Sequence, residues 1–288
     1  MTAETTERAG VGRTHRRTVV AASVLILFAA VALVGPLLYP YDAIATSPVD
    51  RLLPPGSRLE DGTLAILGTD QVGRDLLAQV IAGTRVSLQV GLATVVLGGL
   101  LGLVLGLLAG YFGGPLDAVI SRLGDMQLAF PSILLAILLA GVLGPSLLNV
   151  IIALAVTRWV IFARVVRGST LATRNLEFVD SARVLGAGHT RIMVRYLLPS
   201  CLQPLIVAGT VQIGLTMVAE AALSFLGLGV PADQASWGAT IANGRDYIAS
   251  AWWIAAVPGL ALTLVVVCVG ILGDALQDSS DPKKKVSA

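Results

Sequence analysis

Residues 86–109 read VSLQVGLATVVLGGLLGLVLGLLA, a run without one ionisable side chain. At about 1.5 Å of rise per residue, a helix of this length crosses the roughly 30 Å hydrocarbon core of a bilayer. No water reaches the backbone there, and a helix satisfies its own amides within the segment. Outward from this run the pattern repeats at 18–38, 128–143, 147–162, 202–226 and 252–276. The runs at 128–143 and 147–162 are short, so their helices are expected to continue through Arg122 and Asp125, and through Arg158 and Arg164. The 288 residues are 55% hydrophobic and only 13% charged, with a mean hydropathy of +0.82. That is too little polar surface to coat a soluble globule of this size. The expected fold class is an all-α integral membrane protein with six transmembrane helices.

An even number of crossings puts both termini on one side. If that side is the cytoplasm, Arg8, Arg13, Arg16, Arg17, Arg122, Arg158, Arg164, Arg167, Arg174, Arg183, Arg191, Arg195 and Lys283 to Lys285 are inside, and Arg51, Arg58, Arg74, Arg85 and Arg245 are outside. Three quarters of the 20 basic residues then follow the positive-inside rule. The first run follows Arg16 and Arg17, as a signal peptide would, but it is longer than a usual signal core and no small-residue cleavage site follows it. It reads as an uncleaved span. Cys201 and Cys268 lie far apart within apolar runs, where packing is the simplest role.

The runs divide the chain into a polar tail at 1–17 expected to be mobile, the first span at 18–38, an outside segment at 39–84, five spans within 85–276 and a tail at 277–288. Within the outside segment, Leu76, Leu77, Val80 and Ile81 suggest a short amphipathic helix from about Asp75 to Ile81 lying at the membrane interface. In the second span, Gly98, Gly102, Gly106 and Gly110 recur every fourth residue, the spacing that lets a neighbouring backbone approach closely. Pro131, Pro204 and Pro258 interrupt apolar runs and free backbone groups that must find other partners.

An enzyme would show a nucleophile with its base, or a set of metal ligands. The chain has two histidines, His15 in the tail and His189 in an inside loop, and no GxxxxGK[ST] phosphate loop. Energy from ATP must enter through a partner. The segment for such a partner is the inside loop at 167–200, which reads NLEFVDSARVLGAGHTRIMVRYLLPS from Asn175. Phe178, Ala182 and Leu185 fall at helical spacing, Gly186 supplies a helix stop, and Ile192, Met193, Tyr196 and Leu197 mark a second helix. Two short helices around a glycine elbow describe a lever.

The spacing Asp180-Ser181-Ala182, three residues, Gly186, nine residues, Tyr196-Leu197-Leu198-Pro199 resembles the EAA loop of permeases in binding-protein-dependent ABC importers, EAA-x3-G-x9-I-x-L-P. Asp replaces Glu, Ser replaces Ala and Tyr replaces Ile, while Gly186, Leu198 and Pro199 match. GTDQVGRDLL at 68–77, AGYFGGPLD at 109–117, AFPSILLAI at 129–137, EAALSFLGLG at 220–229 and WWIAAVPGLA at 252–261 are together similar to the C-type permease of dipeptide, oligopeptide and nickel importers. The resemblance implies the type I ABC importer permease fold in a bacterial plasma membrane. It also implies a heterodimer with a B-type permease, two ATP-binding subunits that hold ATP and Mg, and an extracytoplasmic substrate-binding protein. No cofactor is expected in this chain, and no nucleic-acid partner. Di- or oligopeptides are the implied cargo. Nickel chelates or haem would suit the same architecture, and a non-transporting scaffold or a proton-coupled carrier are the readings from other classes.

Individual residues carry paired readings. Asp180, Ser181, Ala182, Arg183, Gly186 and Pro199 are candidates for coupling to the ATPase, although a solvated helix face also explains Asp180 and Arg183. Glu220, in the outer part of the fifth span, is either a structural partner or a path or gate residue. Arg158, with Arg164 and Arg167, either snorkels to headgroups or acts in gating. Asp70, Arg74 and Asp75 either dock the binding protein or form an ion-paired turn. Asp233, Trp237, Arg245 and Asp246 share that docking alternative, and Trp252 and Trp253 are expected to anchor the last span at the interface.

Overall fold

The computed structural model describes residues 2–39, 42–231 and 233–280, and side chains within 16–278. Asp233 is within this range, whereas Lys283 to Lys285 fall outside it, as do the side chains of Arg8, Arg13 and His15. Ten α-helices dominate the described residues: α1 (Thr2–Leu38), α2 (Leu76–Phe112), α3 (Gly114–Leu128), α4 (Ser132–Leu143), α5 (Leu147–Thr173), α6 (Glu177–Val184), α7 (His189–Ile192), α8 (Leu198–Phe225), α9 (Trp237–Gly244) and α10 (Trp253–Ser280). Two short strands, β1 (Ser57–Arg58) and β2 (Leu64–Ala65), form an antiparallel ribbon between α1 and α2, with Ser57 opposite Ala65.

Five helical stretches are long and apolar enough to cross a membrane, and the bent pair α3–α4 brings the number to as many as six. The expected six-span, all-α architecture is therefore present, with three local differences. Helix α1 starts at Thr2, so the backbone of the polar tail is a helical extension of the first span. Second, 75–81 is no separate interfacial helix. Residues 76–81 are the first part of α2, capped by Asp75, which runs unbroken through Gly83 and Arg85; Gly83 lies against Trp237, and Thr84 donates a hydrogen bond to the Val80 carbonyl. Leu76 is buried there against Trp253 and Ile254.

Third, the 128–143 run is the second limb of a pair bent by 89°. Pro131 carries no amide hydrogen and disfavours helical geometry at the residue before it, so the chain breaks there and restarts at Ser132. Both limbs lie along α5: Asp117 bonds Arg167 near one end, Ile120 and Gly124 pack at Val160, and Ala136 and Ala140 share a core with Val150, Ile151 and Leu154. Pro204 and Pro258 stay inside continuous helices. As expected, α5 extends through Arg158 and Arg164 to Thr173, well past its apolar core.

The central seam is α2 against α5, and the glycine repeat makes it. A Cβ on Gly102 would lie 2.5 Å from Phe162 Cβ and 2.7 Å from the Trp159 carbonyl oxygen. One on Gly106 would lie 2.5 Å from the Ala163 carbonyl, and one on Gly110 would lie 2.6 Å from Thr170 Cβ. Helix α8 packs on both, and α10 closes the far side with α1. Cys201 and Cys268 are free and buried, as packing residues should be.

Candidate functional site

At one end of the bundle, α6, α7 and a π-helical turn at Met193–Leu197 make the lever. Helix α6 ends in a Schellman motif. Gly186 has φ +81°, its amide donates to the Arg183 carbonyl at 2.9 Å, and the Ala187 amide reaches the Ala182 carbonyl at 3.0 Å. Only glycine takes that left-handed position without a Cβ penalty. Ser181 Oγ donates back to the Glu177 carbonyl, and Arg183 pairs with Asp180 at 2.6 Å while its second nitrogen donates to the Arg174 carbonyl. Arg174 in turn donates to the Gly110 carbonyl at 2.7 Å. These links tie the lever to the end of α2. Pro199 sits in the first turn of α8, where its missing amide hydrogen costs nothing.

The apolar faces differ from the spacing argument in an instructive way. Val179, Ala182, Ile192 and Leu197 are the inward residues, and Val179, Ile192 and Leu197 share a core with Tyr111, whose hydroxyl meets His189 Nδ1 at 2.8 Å. Phe178 is half exposed, while Val184 and Leu185 are 88% and 87% exposed. Leu185 lies past the last helical turn, so helical spacing does not apply to it. The helix end thus presents a bare apolar tip that the sequence reading missed. Two adjacent aliphatic residues before a stop glycine were the available signal.

At the opposite end, the 68–77 motif forms a closed knot. Asp70 is fully buried: its Oδ1 accepts from the Val72 and Arg74 amides, each at 2.9 Å, and its Oδ2 accepts from Gln79 Nε2 at 2.9 Å. Thr69 donates to the Asp50 carbonyl, and Trp253 Nε1 donates to the Thr69 carbonyl at 3.1 Å. Asp75 caps α2 by accepting from the Ala78 amide at 2.8 Å, and also accepts from the Tyr39 hydroxyl. Burial pushes its carboxyl above the usual carboxylate range, against both hydrogen bonds. The turn is therefore built on backbone amides, and no ion pair joins Asp70, Arg74 and Asp75 among the described residues.

Trp237 is also buried, donating Nε1 to the Val80 carbonyl at 3.1 Å and stacking edge-on with Phe28. Of the docking candidates, Asp70, Asp75 and Trp237 are interior and Arg74 is partly buried. Arg245 and Asp246 remain exposed and pair with each other at 3.2 Å. Trp252 is exposed whereas Trp253 is buried, so the two adjacent tryptophans do different work.

Glu220 is wholly buried near this end of α8. Ser224 donates to its Oε1 at 2.7 Å, Ser87 of α2 donates to Oε2 at 3.3 Å, and Ser236 reaches the Ser224 hydroxyl at 3.4 Å. The carboxylate thus ties α8 to α2 and to the cap of α9. Just beyond, α8 stops in a second Schellman motif at Gly227, φ +76°, which accounts for the first glycine of EAALSFLGLG, while the second, Gly229, lies against Ser224. Nearer mid-bundle, Arg158 reaches from α5 to α8, with contacts of 3.3 Å to Gln212 Oε1 and 3.4 Å to the Leu215 carbonyl. Arg164 and Arg167 are paired with Asp125 and Asp117 instead.

Comparison with known proteins agrees with this geometry. The family described as binding-protein-dependent transport system inner membrane component matches residues 102–286, and the N-terminal transmembrane domain of oligopeptide transport permease C matches 13–55. The chain is 42% identical to a di/tripeptide transport system permease protein of Pseudomonas aeruginosa over 92% of its own length and 87% of that protein. It is 38% identical to a probable D,D-dipeptide transport system permease protein of Escherichia coli over 92% and 87%. A glutathione transport system permease protein of Pectobacterium atrosepticum is 39% identical over 91% and 85%. Among solved structures, a chain of the inward-facing MetNI methionine ABC transporter superposes with TM-score 0.58 at 20% identity, covering 70% of this chain and 96% of that one.

Proposed function

Because the chain belongs to the family of binding-protein-dependent transport system inner membrane components, we propose that it is one half of the pore of an ATP-driven importer of di- or oligopeptides. A permease of this family works with a partner permease and with ATPase subunits. In our reading the partner is a B-type permease, two ATP-binding subunits hold ATP and Mg, and an extracytoplasmic binding protein delivers the cargo. This chain holds no cofactor and catalyses no step itself. Its lever end, with both termini, faces the cytoplasm, in keeping with the arginine distribution.

The observation that carries the reading is the lever's exposed tip. Val184 and Leu185 stand at the end of a helix whose other face is held to α2 through Val179 and through the Arg183–Arg174–Gly110 link. An apolar tip on a rigid mount suits insertion into a cleft on an ATPase subunit. Closure of the ATPase dimer on ATP would move the tip, and the mount would pass that motion to the α2–α5 seam. Work is transmitted only if the tip's contacts differ in free energy between the inward and outward states. Asp180, Ser181 and Arg183 then flank the contact, and Gly186 sets the angle between the two lever helices. At the other end, Arg74, Asp233, Arg245 and Asp246 are the docking candidates that retain exposure for the binding protein.

The test is to co-purify the assembled complex, reconstitute it in liposomes and measure uptake and ATPase activity with the binding protein loaded with dipeptide, longer peptide, nickel chelate or haem. Peptide-stimulated ATPase with peptide uptake is expected. Stimulation only by nickel or haem would reassign the cargo, and a complex that assembles with no ATPase subunit would overturn the transport reading.

A further inference from the structure

We propose that Arg158 is a carboxylate-binding residue of the translocation path, engaging a carboxylate of the peptide as it passes; this rests on the peptide-transport reading above. An arginine in the apolar part of a bundle is costly unless it is paired or faces a wet cavity. Arg158 is not paired with an acid: the four ion pairs among the described residues use Arg164, Arg167, Arg183 and Arg245. Its two contacts are with neutral oxygens, at 3.3 Å and 3.4 Å, and its Nε is buried with no partner.

Its surroundings share that unmet demand. Five side-chain polar atoms are buried without a hydrogen-bond partner among the described residues, and three of them belong to Thr94, Arg158 and Thr216. Thr94 lies one turn along α2 from Gly98, where an added Cβ would sit 3.6 Å from Arg158 Cβ. Thr216 follows Leu215, whose carbonyl takes the weak Nη2 contact. Native interiors rarely leave such groups without a partner, whether protein, ordered water or bound ion. The Gln212 that holds Arg158 also lines an open groove of about 630 Å³ between α5, α8 and α10, whose wall is mostly aliphatic, with Gln203 and Gln277 as its other polar residues. Arg158 with Thr94 and Thr216 thus offers a guanidinium and two hydroxyls with no anion of their own. A planar carboxylate fits the guanidinium fork, and every peptide with a free C-terminus carries one. An acidic side chain would offer the same group.

The experiment compares uptake of Ala-Phe, Ala-Phe amide and Asp-Phe amide by reconstituted wild-type, Arg158→Gln and Arg158→Lys complexes, each peptide supplied at a concentration that saturates the binding protein by titration. Wild type is expected to import Ala-Phe about tenfold faster than Ala-Phe amide, roughly the value of one charge-assisted contact. R158Q should bring Ala-Phe down to the amide rate, and R158K should recover part of the difference. Asp-Phe amide moving like Ala-Phe would show that either carboxylate serves; moving like Ala-Phe amide, it would restrict the site to the C-terminus. Assembly and basal ATPase activity should be unchanged. An R158Q complex that imports all three peptides as wild type does would overturn the inference while leaving peptide transport standing. So would an equal fall for acid and amide, or loss of the partner permease on purification, which would mark Arg158 as an interface residue. A wild-type complex that imports no peptide would overturn both.

Discussion

Replacing Gly102 with alanine is expected to destabilise the bundle by roughly 1–2 kcal/mol, although it adds one methyl group. Gly102 sits where α2 crosses α5, and the new Cβ would lie 2.5 Å from Phe162 Cβ, 2.7 Å from the Trp159 carbonyl oxygen and 2.8 Å from the Ala163 nitrogen. Ordinary contact begins near 3.4 Å, so the two helices must part by somewhat less than 1 Å. Two of the three obstacles are backbone atoms that no rotamer change can move. A gap of about 0.5–1 Å forfeits a quarter to a half of each contact's attraction along the seam, and overpacking costs about 1–3 kcal/mol. Alanine's better helix propensity offsets at most about 1 kcal/mol of that. Gly99, on the same helix, supplies the control because nothing lies within 4 Å of its added Cβ. Gly99→Ala should hold stability or raise it by up to about 1 kcal/mol. Thermal unfolding of the complex in nanodiscs, followed by tryptophan fluorescence with Trp159 at the seam, separates the two. A Gly102→Ala complex as stable as wild type, or a Gly99→Ala complex lowered as much, would refute the close-packing account.

Asp70→Ala strands the amides of Val72 and Arg74 and the Gln79 side chain, and should cost roughly 2–4 kcal/mol; limited proteolysis within 42–75 should accelerate, and unchanged resistance would show that the knot is dispensable. Gly186→Val forces a β-branched residue into φ +81° with open space around it, a backbone penalty of about 1–2 kcal/mol. It should uncouple ATP hydrolysis from uptake with membrane insertion intact, while Gly186→Asn, which tolerates that conformation, should keep more of the coupling. Retained uptake in the valine variant would count against the lever. Glu220→Gln keeps an acceptor for Ser224 and should leave both assembly and uptake near wild type, whereas Glu220→Ala should lower thermal stability. Impaired uptake by a fully assembled Glu220→Gln complex would assign the carboxylate to the path instead.

Much of the fold was legible because a bilayer penalises unpaired backbone and charge so heavily that spans must be apolar and helical along their length. Residues 86–109 announce one crossing by themselves, and the spacing of Gly98 to Gly110 identifies the face that another helix must meet. Gly186 could be read as a stop since only one residue type takes that conformation freely. These are local properties, and local sequence carries them.

Tertiary structure alone decided which partner each face meets. Nothing in the spacing of 68–77 says that Asp70 would be consumed by backbone amides and Gln79, because those donors come from an irregular turn and from the next helix. Trp252 and Trp253 look alike in sequence, yet the Thr69 carbonyl claims one of them. Arg164 and Arg167 find acids on α3 and Arg158 does not, a difference that depends on how α3 and α4 fold back along α5 at the Pro131 break. The sequence by itself determined that this chain crosses a membrane as helices and where their glycine seams and stops lie. Which of its charges are left unsatisfied inside was settled only by packing, since pairing depends on distances between segments far apart in the chain.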